Sequence, residues 1–193
     1  MQRLTTYRKC IVTAFCGALV AFFVASMGIA QEESLTAQMN GWFAELADPG
    51  NDQWRRAEAD IQREWSKSGS PAFDLLLKRG RAAIEAGDLR AAIDHLTALT
   101  DQAPDFAEGW NARATAFYLA GLFGPSIIDI EHVLALEPRH FGAIAGLGLI
   151  LHETGHEADA IHAFRESLAI HPHQDGISQS LEELEKKASG TDI

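Results

Sequence analysis

From residue 73 to residue 188 the apolar positions recur every three or four residues, and glycine or proline interrupts them at regular intervals. That period belongs to amphipathic helices, and no stretch shows the alternation a half-buried strand needs. The helices come in pairs. Residues 73–86 and 89–101 form the first pair around Gly87-Asp88, and the pattern then repeats. Pro104, Pro138 and Pro172 stand 34 residues apart, as do Gly87, Gly121 and Gly155. Three more columns hold the same register: Gly80, Ala114 and Gly148; Ala92, Ser126 and Ala160; Leu96, Ile130 and Phe164.

Each column has a physical reason. Gly87, Gly121 and Gly155 end the first helix of a unit, because glycine takes a left-handed backbone at little cost. The prolines close each unit, since proline cannot continue the helix before it. Pro125 falls in the first turn of a second helix, where a missing N–H matters least. Gly80, Ala114 and Gly148 lie midway along the first helices. Their small size lets the second helix approach closely, with Ala92, Ser126 and Ala160 expected to face them.

These columns resemble the tetratricopeptide repeat family, and the unit Trp110…Gly121…Ser126…Ile130…Pro138 matches it best. The resemblance covers residues 73–174. It implies an all-α, right-handed solenoid of three helical hairpins, bounded at 71–104, 105–138 and 139–172. Arg79 and Arg113 stand where the family usually shows a large apolar residue. Leu99 and Ser167 replace a small alanine near the end of the second helix. Trp110 aligns with Leu76 and Ile144, which points to the core.

The flanks are helical as well. Residues 34–47 and 52–67 surround an Asp48-Pro49-Gly50-Asn51 turn, with Trp42, Phe43 and Leu46 on one side and Trp54, Ala57, Ile61 and Trp65 on the other. They lack the repeat columns, so residues 31–70 read as a degenerate hairpin capping the N-terminal end of the stack. Residues 173–193 hold a final amphipathic helix, with Ile177, Leu181 and Leu184 inside, and a short tail. A helix with one polar side is what a terminal repeat needs to cover its apolar face.

Residues 1–30 read as an address. Arg3, Arg8 and Lys9 precede an apolar run from Cys10 to Ala30, which ends in Gly28-Ile29-Ala30 ahead of Gln31-Glu32-Glu33. A basic start, an apolar middle and a small-residue exit describe a secretory signal peptide. The alternative is an uncleaved anchor, because the run is long enough to span a bilayer. Phe15 before Cys16 does not suit a lipoprotein signal. Both cysteines lie in this segment, so the exported chain is expected to have no disulfide. The expected destination is the periplasm, with membrane contact only through residues 10–30 if they are retained.

Composition narrows the function. The chain has 193 residues, 47 % apolar and 22 % charged, a globular balance. Its 16 basic and 27 acidic residues give a formal charge of −11. No basic face emerges, which argues against nucleic acid as a partner.

One stretch invites a catalytic reading. His152-Glu153-Thr154-Gly155-His156 has the spacing of zinc hydrolases, and His162 falls where an extended form places a third ligand. The repeat frame opposes it. Gly155 is the turn between two helices, so His156 does not lie one helical turn from His152 on a shared face. Asp159 also stands where the extended form needs glycine. No phosphate loop, nucleophile elbow or dinucleotide fingerprint is present. The expectation is a non-enzymatic protein with no catalytic residues, no metal site and no cofactor.

What remains is shape. The first helices of such a stack line its concave side. Their outward positions carry Asp74, Leu77, Arg81, Ile84 and Glu85, then Asn111, Thr115, Tyr118 and Leu119, then Ala145, Leu149, His152 and Glu153. The candidate partner groove is Leu77, Arg81, Asn111, Thr115, Tyr118, Leu149 and His152, suited to an extended or helical peptide. Alternatively, Tyr118 and Leu119 contact a terminal cap folded back over them. Some family members grip a C-terminal carboxylate with a Lys/Asn/Lys/Arg set; here the corresponding places carry Leu77, Arg81, Ala112, Gly142 and Gly146, and only Arg81 could hold an anion. Two function classes stand: a scaffold or adaptor that recruits a protein or peptide partner, and a permanent accessory subunit of an envelope enzyme or transporter. Zinc hydrolysis is the weakest third.

Overall fold

The computed structural model describes residues 33–190, and the expected signal segment 1–30 lies outside them. The chain divides into two units between Trp42 and Phe43. Helix α1 (residues 33–47) begins in the first. In the second, α2 (Trp54–Trp65) precedes three hairpins: α3 (Pro71–Glu85) with α4 (Leu89–Gln102), α5 (Ala107–Leu119) with α6 (Phe123–Leu136), and α7 (Phe141–Glu153) with α8 (Glu157–Ile170). Helix α9 (Asp175–Ala188) follows. Among the described residues there is no strand. The molecule is an all-α solenoid.

The turns within the hairpins are copies of one another. Gly87, Gly121 and Gly155 have φ of 74°, 73° and 81°. After each, the chain closes the same bond. The amide of Asp88 donates to the Ala83 carbonyl at 2.9 Å, that of Leu122 to Phe117 at 2.9 Å and that of His156 to Leu151 at 2.8 Å. These bonds satisfy carbonyls that a helix end leaves open.

In the first and third hairpins the small residue of the first helix lies directly against the large residue of the second. A Cβ on Gly80 would lie 2.4 Å from Leu96, and one on Gly148 would lie 2.5 Å from Phe164. The missing side chain therefore makes room for the large residue of the second helix, beside the buried Ala92 and Ala160. Leu96 and Phe164 are fully buried in consequence. In the middle hairpin Ser126 does meet its expected neighbour, donating through Oγ to the Ala114 carbonyl at 2.8 Å.

The departures from the repeat pattern are compensated locally. Leu99 packs over Gly109, where a Cβ would be only 3.2 Å away. Ser167 is buried and donates to the Phe141 carbonyl at 2.9 Å. Arg113 replaces apolar packing with a buried fork. Its Nε and Nη2 donate to the two Asp129 oxygens at 2.7 and 2.8 Å, and Nη1 donates to Thr100 Oγ1 at 2.8 Å. One side chain thereby ties α4, α5 and α6 together. Trp110 is half-buried rather than core: its ring stacks on His132 at 4.3 Å, with Arg113 over it at 4.8 Å. Its N–H donates to the Pro104 carbonyl at 2.8 Å, and the ring packs against the Ala114–Ile130–Val133 core from its edge.

The first helices touch along the stack, α3 with α5 and α5 with α7, which places them on the inside of the curve. At the far end, Ile177, Leu181 and Leu184 of α9 pack with Ala160 and Phe164.

Two stability outcomes follow from the close contacts. Gly148→Ala forces a methyl onto the Phe164 ring and should cost about 1–3 kcal/mol in urea unfolding. Arg113→Leu leaves Asp129, 2 % exposed, without its counter-charge and should cost about 3–5 kcal/mol, much of it regained when Asp129 is also replaced by leucine.

Candidate functional site

The inner face is organised around a residue absent from the expected set. Glu108, in the first turn of α5, is 6 % exposed. Its carboxylate is paired with the Arg81 guanidinium from α3, accepts from Asn111 Nδ2 at 3.2 Å and lies 3.0 Å from His140 Nε2 at the start of α7. All three repeats thus meet at one carboxylate. His140 Nδ1 accepts from the Ala143 amide at 3.1 Å, capping α7, so Nε2 carries the hydrogen donated to Glu108. Burial alone would raise the Glu108 carboxyl. The hydrogen bond and electrostatic attraction of His140 outweigh it, helped by Arg81 and Asn111, and hold it below the ordinary glutamate value of 4.5.

Glu108 was legible in principle. It lies 34 residues after Asp74 and 34 before Gly142, in the column of inner positions. Asp74 itself accepts from the Ser68 amide at 2.9 Å and hydroxyl at 2.6 Å, bonds that hold its carboxyl below the ordinary range and fasten the start of α3.

Of the expected groove residues, Arg81 and Asn111 are brought together by Glu108. Thr115 is exposed one turn further along α5. Tyr118 is hydrogen-bonded to the Glu153 carboxylate across from α7, which pushes its phenol up to about 12 together with partial burial. Its ring lies 5.9 Å from Phe123, so among the described residues these partners come from the repeats. A narrow strip between α5 and α7, floored by Ala114, Ala143 and Gly146, links these two clusters. Three residues fall elsewhere. Leu77 is 2 % exposed and belongs to the core with Leu96 and Ala112, because its side chain turns toward α4 and α5 rather than outward. Leu149 packs with the Phe164–Leu184 cluster under α9. His152 is exposed, apart from the rest of the set.

The zinc-like spacing does not assemble. Gly155 ends α7 between His152 and His156, and His156 precedes α8 with its ring 3.0 Å from Thr154 Oγ1. His162 lies on α8 beside Glu166. Among the described residues no three histidine, cysteine or acidic side chains converge on a point that could hold a metal ion.

Helix α2 reaches more than one repeat. The end of α2 meets the first repeat through Ser66, which accepts from Arg81 Nη1 at 3.1 Å. Trp65 stacks on His140 and Trp54 on His173, which draws α2 along the inner side toward the third repeat. Between α2 and the repeats remains a cleft of 740 Å³, with Arg63, Trp65, Arg81, Glu108, His140 and Gly142 in its walls. Ring stacking between elements so far apart in sequence has no periodic signature.

Known proteins show the same architecture. A tetratricopeptide repeat model matches residues 77–124. A TPR repeat-containing protein of Rhizobium etli is 38 % identical over 131 residues, 68 % of this chain and 64 % of that protein, so the chain spans less than two thirds of this relative. The Sgt2 TPR domain from Aspergillus fumigatus superposes with a TM-score of 0.59 at 23 % identity, covering 64 % of this chain and 83 % of that one. The first TPR of Spaghetti (RPAP3), solved bound to the HSP90 peptide SRMEEVD, gives a TM-score of 0.57 at 19 % identity over 60 % and 91 % of the two chains. With the five repeat columns and the three matching hairpins, these likenesses place the chain in the tetratricopeptide repeat family.

The Glu108 pairing sets an acid limit. A carboxyl held below 4.5 contributes stability that is complete above that pH and is lost as pH falls through its lower folded value. Glu108→Gln should therefore melt below the parent chain at pH 7, by about 1–3 kcal/mol of stability. The gap should close as the pH drops below 4.5, since the protonated parent then resembles glutamine. Melting curves of both proteins across this range measure it.

Proposed function

We propose that the protein is a non-enzymatic interaction scaffold that holds a protein or peptide partner against the inner face of its repeats. The observation that carries this reading is the inner face itself, where Arg81, Asn111, Glu108 and His140 form a fixed polar cluster beside a 740 Å³ cleft. A rigid scaffold with a few oriented polar groups and an apolar floor is suited to peptide recognition. The RPAP3 domain, which shares the fold, was solved with a peptide bound, and this supports the same use of the surface here. The family's repeats are typically scaffolds, in keeping with a role that needs no catalysis. The basic and apolar residues of segment 1–30 support export to the periplasm as the place of action. Among the described residues no helix is long and apolar enough to cross a membrane.

A second reading, a permanent accessory subunit of an envelope complex, draws on the exposed Leu119, Leu122 and Ile128 of the middle repeat. Large apolar side chains left in solvent suit a lasting contact. One experiment separates the two. The protein is used as bait in an envelope extract, beside Thr115→Arg, which fills the inner strip, and Ile128→Asp, which charges the outer helix. Loss of capture in Thr115→Arg alone, with helicity unchanged, supports the groove. Loss in Ile128→Asp alone selects the accessory subunit and sinks the groove reading.

A further inference from the structure

The inner face is partly covered by the chain's own helix α2. Trp54, Ala57, Ile61 and Trp65 share one side of it at helical spacing, and Ala57 and Ile61 are fully buried. Its two tryptophans sit on imidazole and phenyl faces of the repeats. Trp65 stacks on His140 at 4.2 Å, with the rings 10° from parallel, and meets Phe141 at 5.3 Å. Trp54 stacks on His173 at 4.6 Å and 2°, and leans on His171 at 5.6 Å. The two seats are about 16 Å apart along α2. The cleft beside Trp65 shows that α2 does not fill the space it lies across.

His171 makes this seating sensitive to charge. Its side chain is 3 % exposed, with Nε2 3.6 Å from Glu58 of α2. Among the described residues, Nδ1 has no hydrogen-bond partner. The Phe141 ring meets it edge-on at 4.9 Å and Trp54 covers it from α2. A neutral imidazole fits this place, with the hydrogen on Nε2 toward Glu58 and an unused lone pair on Nδ1. A second proton would sit on Nδ1 among aromatic rings with nothing to accept it, and only release of α2 would give it water.

We propose that α2 is an acid-released occupant of the inner face, covering the partner surface while His171 is neutral and leaving it when His171 is protonated. This rests on the reading of that face as the partner surface, and adds its regulation. The seats vacated are aromatic and imidazole faces, so the surface uncovered is one for aromatic side chains of the partner.

Glu58 faces His171 from α2, and His173 faces it from the turn after α8, its own Nε2 lying 3.1 Å from the Asp48 carbonyl. Arg55 lies over the Trp54 ring at 4.3 Å. At the other seat, His140 faces Glu108 of α5, itself paired with Arg81, and Glu137 accepts from Trp65 Nε1 at 3.4 Å. Burial pushes the His171 imidazole below its ordinary 6.5, the Glu58 carboxylate opposes this only in part, and His173 adds to the lowering. A value lowered in the docked state means that the hold on α2 is complete above 6.5 and weakens as pH falls below it. For one proton the limit is about tenfold per pH unit.

Hydrogen exchange of the full chain at pH 7.5 and pH 5.5, corrected for the intrinsic pH dependence of exchange, tests this directly. Protection of the α2 amides should fall by up to about tenfold on acidification, while α5 to α8 keep theirs. In His171→Phe, which keeps an aromatic ring but cannot take a proton, α2 protection should be the same at both pH values. Should that variant fail to fold, Glu58→Gln serves: without the carboxylate, release should move to higher pH. Equal α2 protection at both pH values in the parent chain overturns the proposal. So does a loss shared equally by α5 to α8, the same loss in His171→Phe, or an unmoved release in Glu58→Gln. No partner enters this experiment, so its failure is distinguishable from failure of the capture experiment.

Discussion

The structure depends on one close approach, made in the first and third hairpins: the first helix comes near enough to the second that a single methyl would not fit. At Gly80 the space belongs to Leu96, and at Gly148 to Phe164. This contact fixes the separation of the paired helices, and the left-handed glycine at each turn fixes how the chain reverses. Once both are set, the hairpins are alike and can only stack. Burial of Leu96, Ile130 and Phe164 follows as a result of that geometry.

Stacking identical hairpins gives an inner surface whose residues come from the same position of successive units. The column Asp74, Glu108 and Gly142 shows how function can be written into such a fold. The first member fastens its helix to Ser68, the second is a buried anion shared by three repeats, and the third leaves open space beside it. Arg81 and His140 reach the same carboxylate from helices on either side. A polar cluster built in this way holds its members in place, because each hydrogen bond is anchored in a different hairpin.

The repeats were legible because spacing and residue size carry them. The glycines and prolines at intervals of 34, and the small residues midway along the first helices, follow from backbone and packing rules that act locally. How closely Leu96 and Phe164 press on the small residues was less visible, since spacing alone does not give distance. The groove was half legible. Arg81, Asn111 and Tyr118 lie on the inner side as their column positions require, whereas Leu77 turns inward and Leu149 goes under α9. Glu108 sat in the right column, yet an acidic residue at a helix start reads as solvated until its partners from two other repeats are known. The position of α2 had no local signal, since stacking of Trp54 and Trp65 on distant histidines leaves no period behind.

The Arg113 fork has a mechanical corollary. Two hydrogen bonds to Asp129 and a third to Thr100 join three consecutive helices through a single planar group, so the first and second hairpins resist sliding past each other in a way that apolar side chains alone do not enforce. Under tension applied through a bound partner, compliance would be concentrated away from this rivet, toward the terminal helices. The middle of the coil would act as the stiff segment of an otherwise elastic spring.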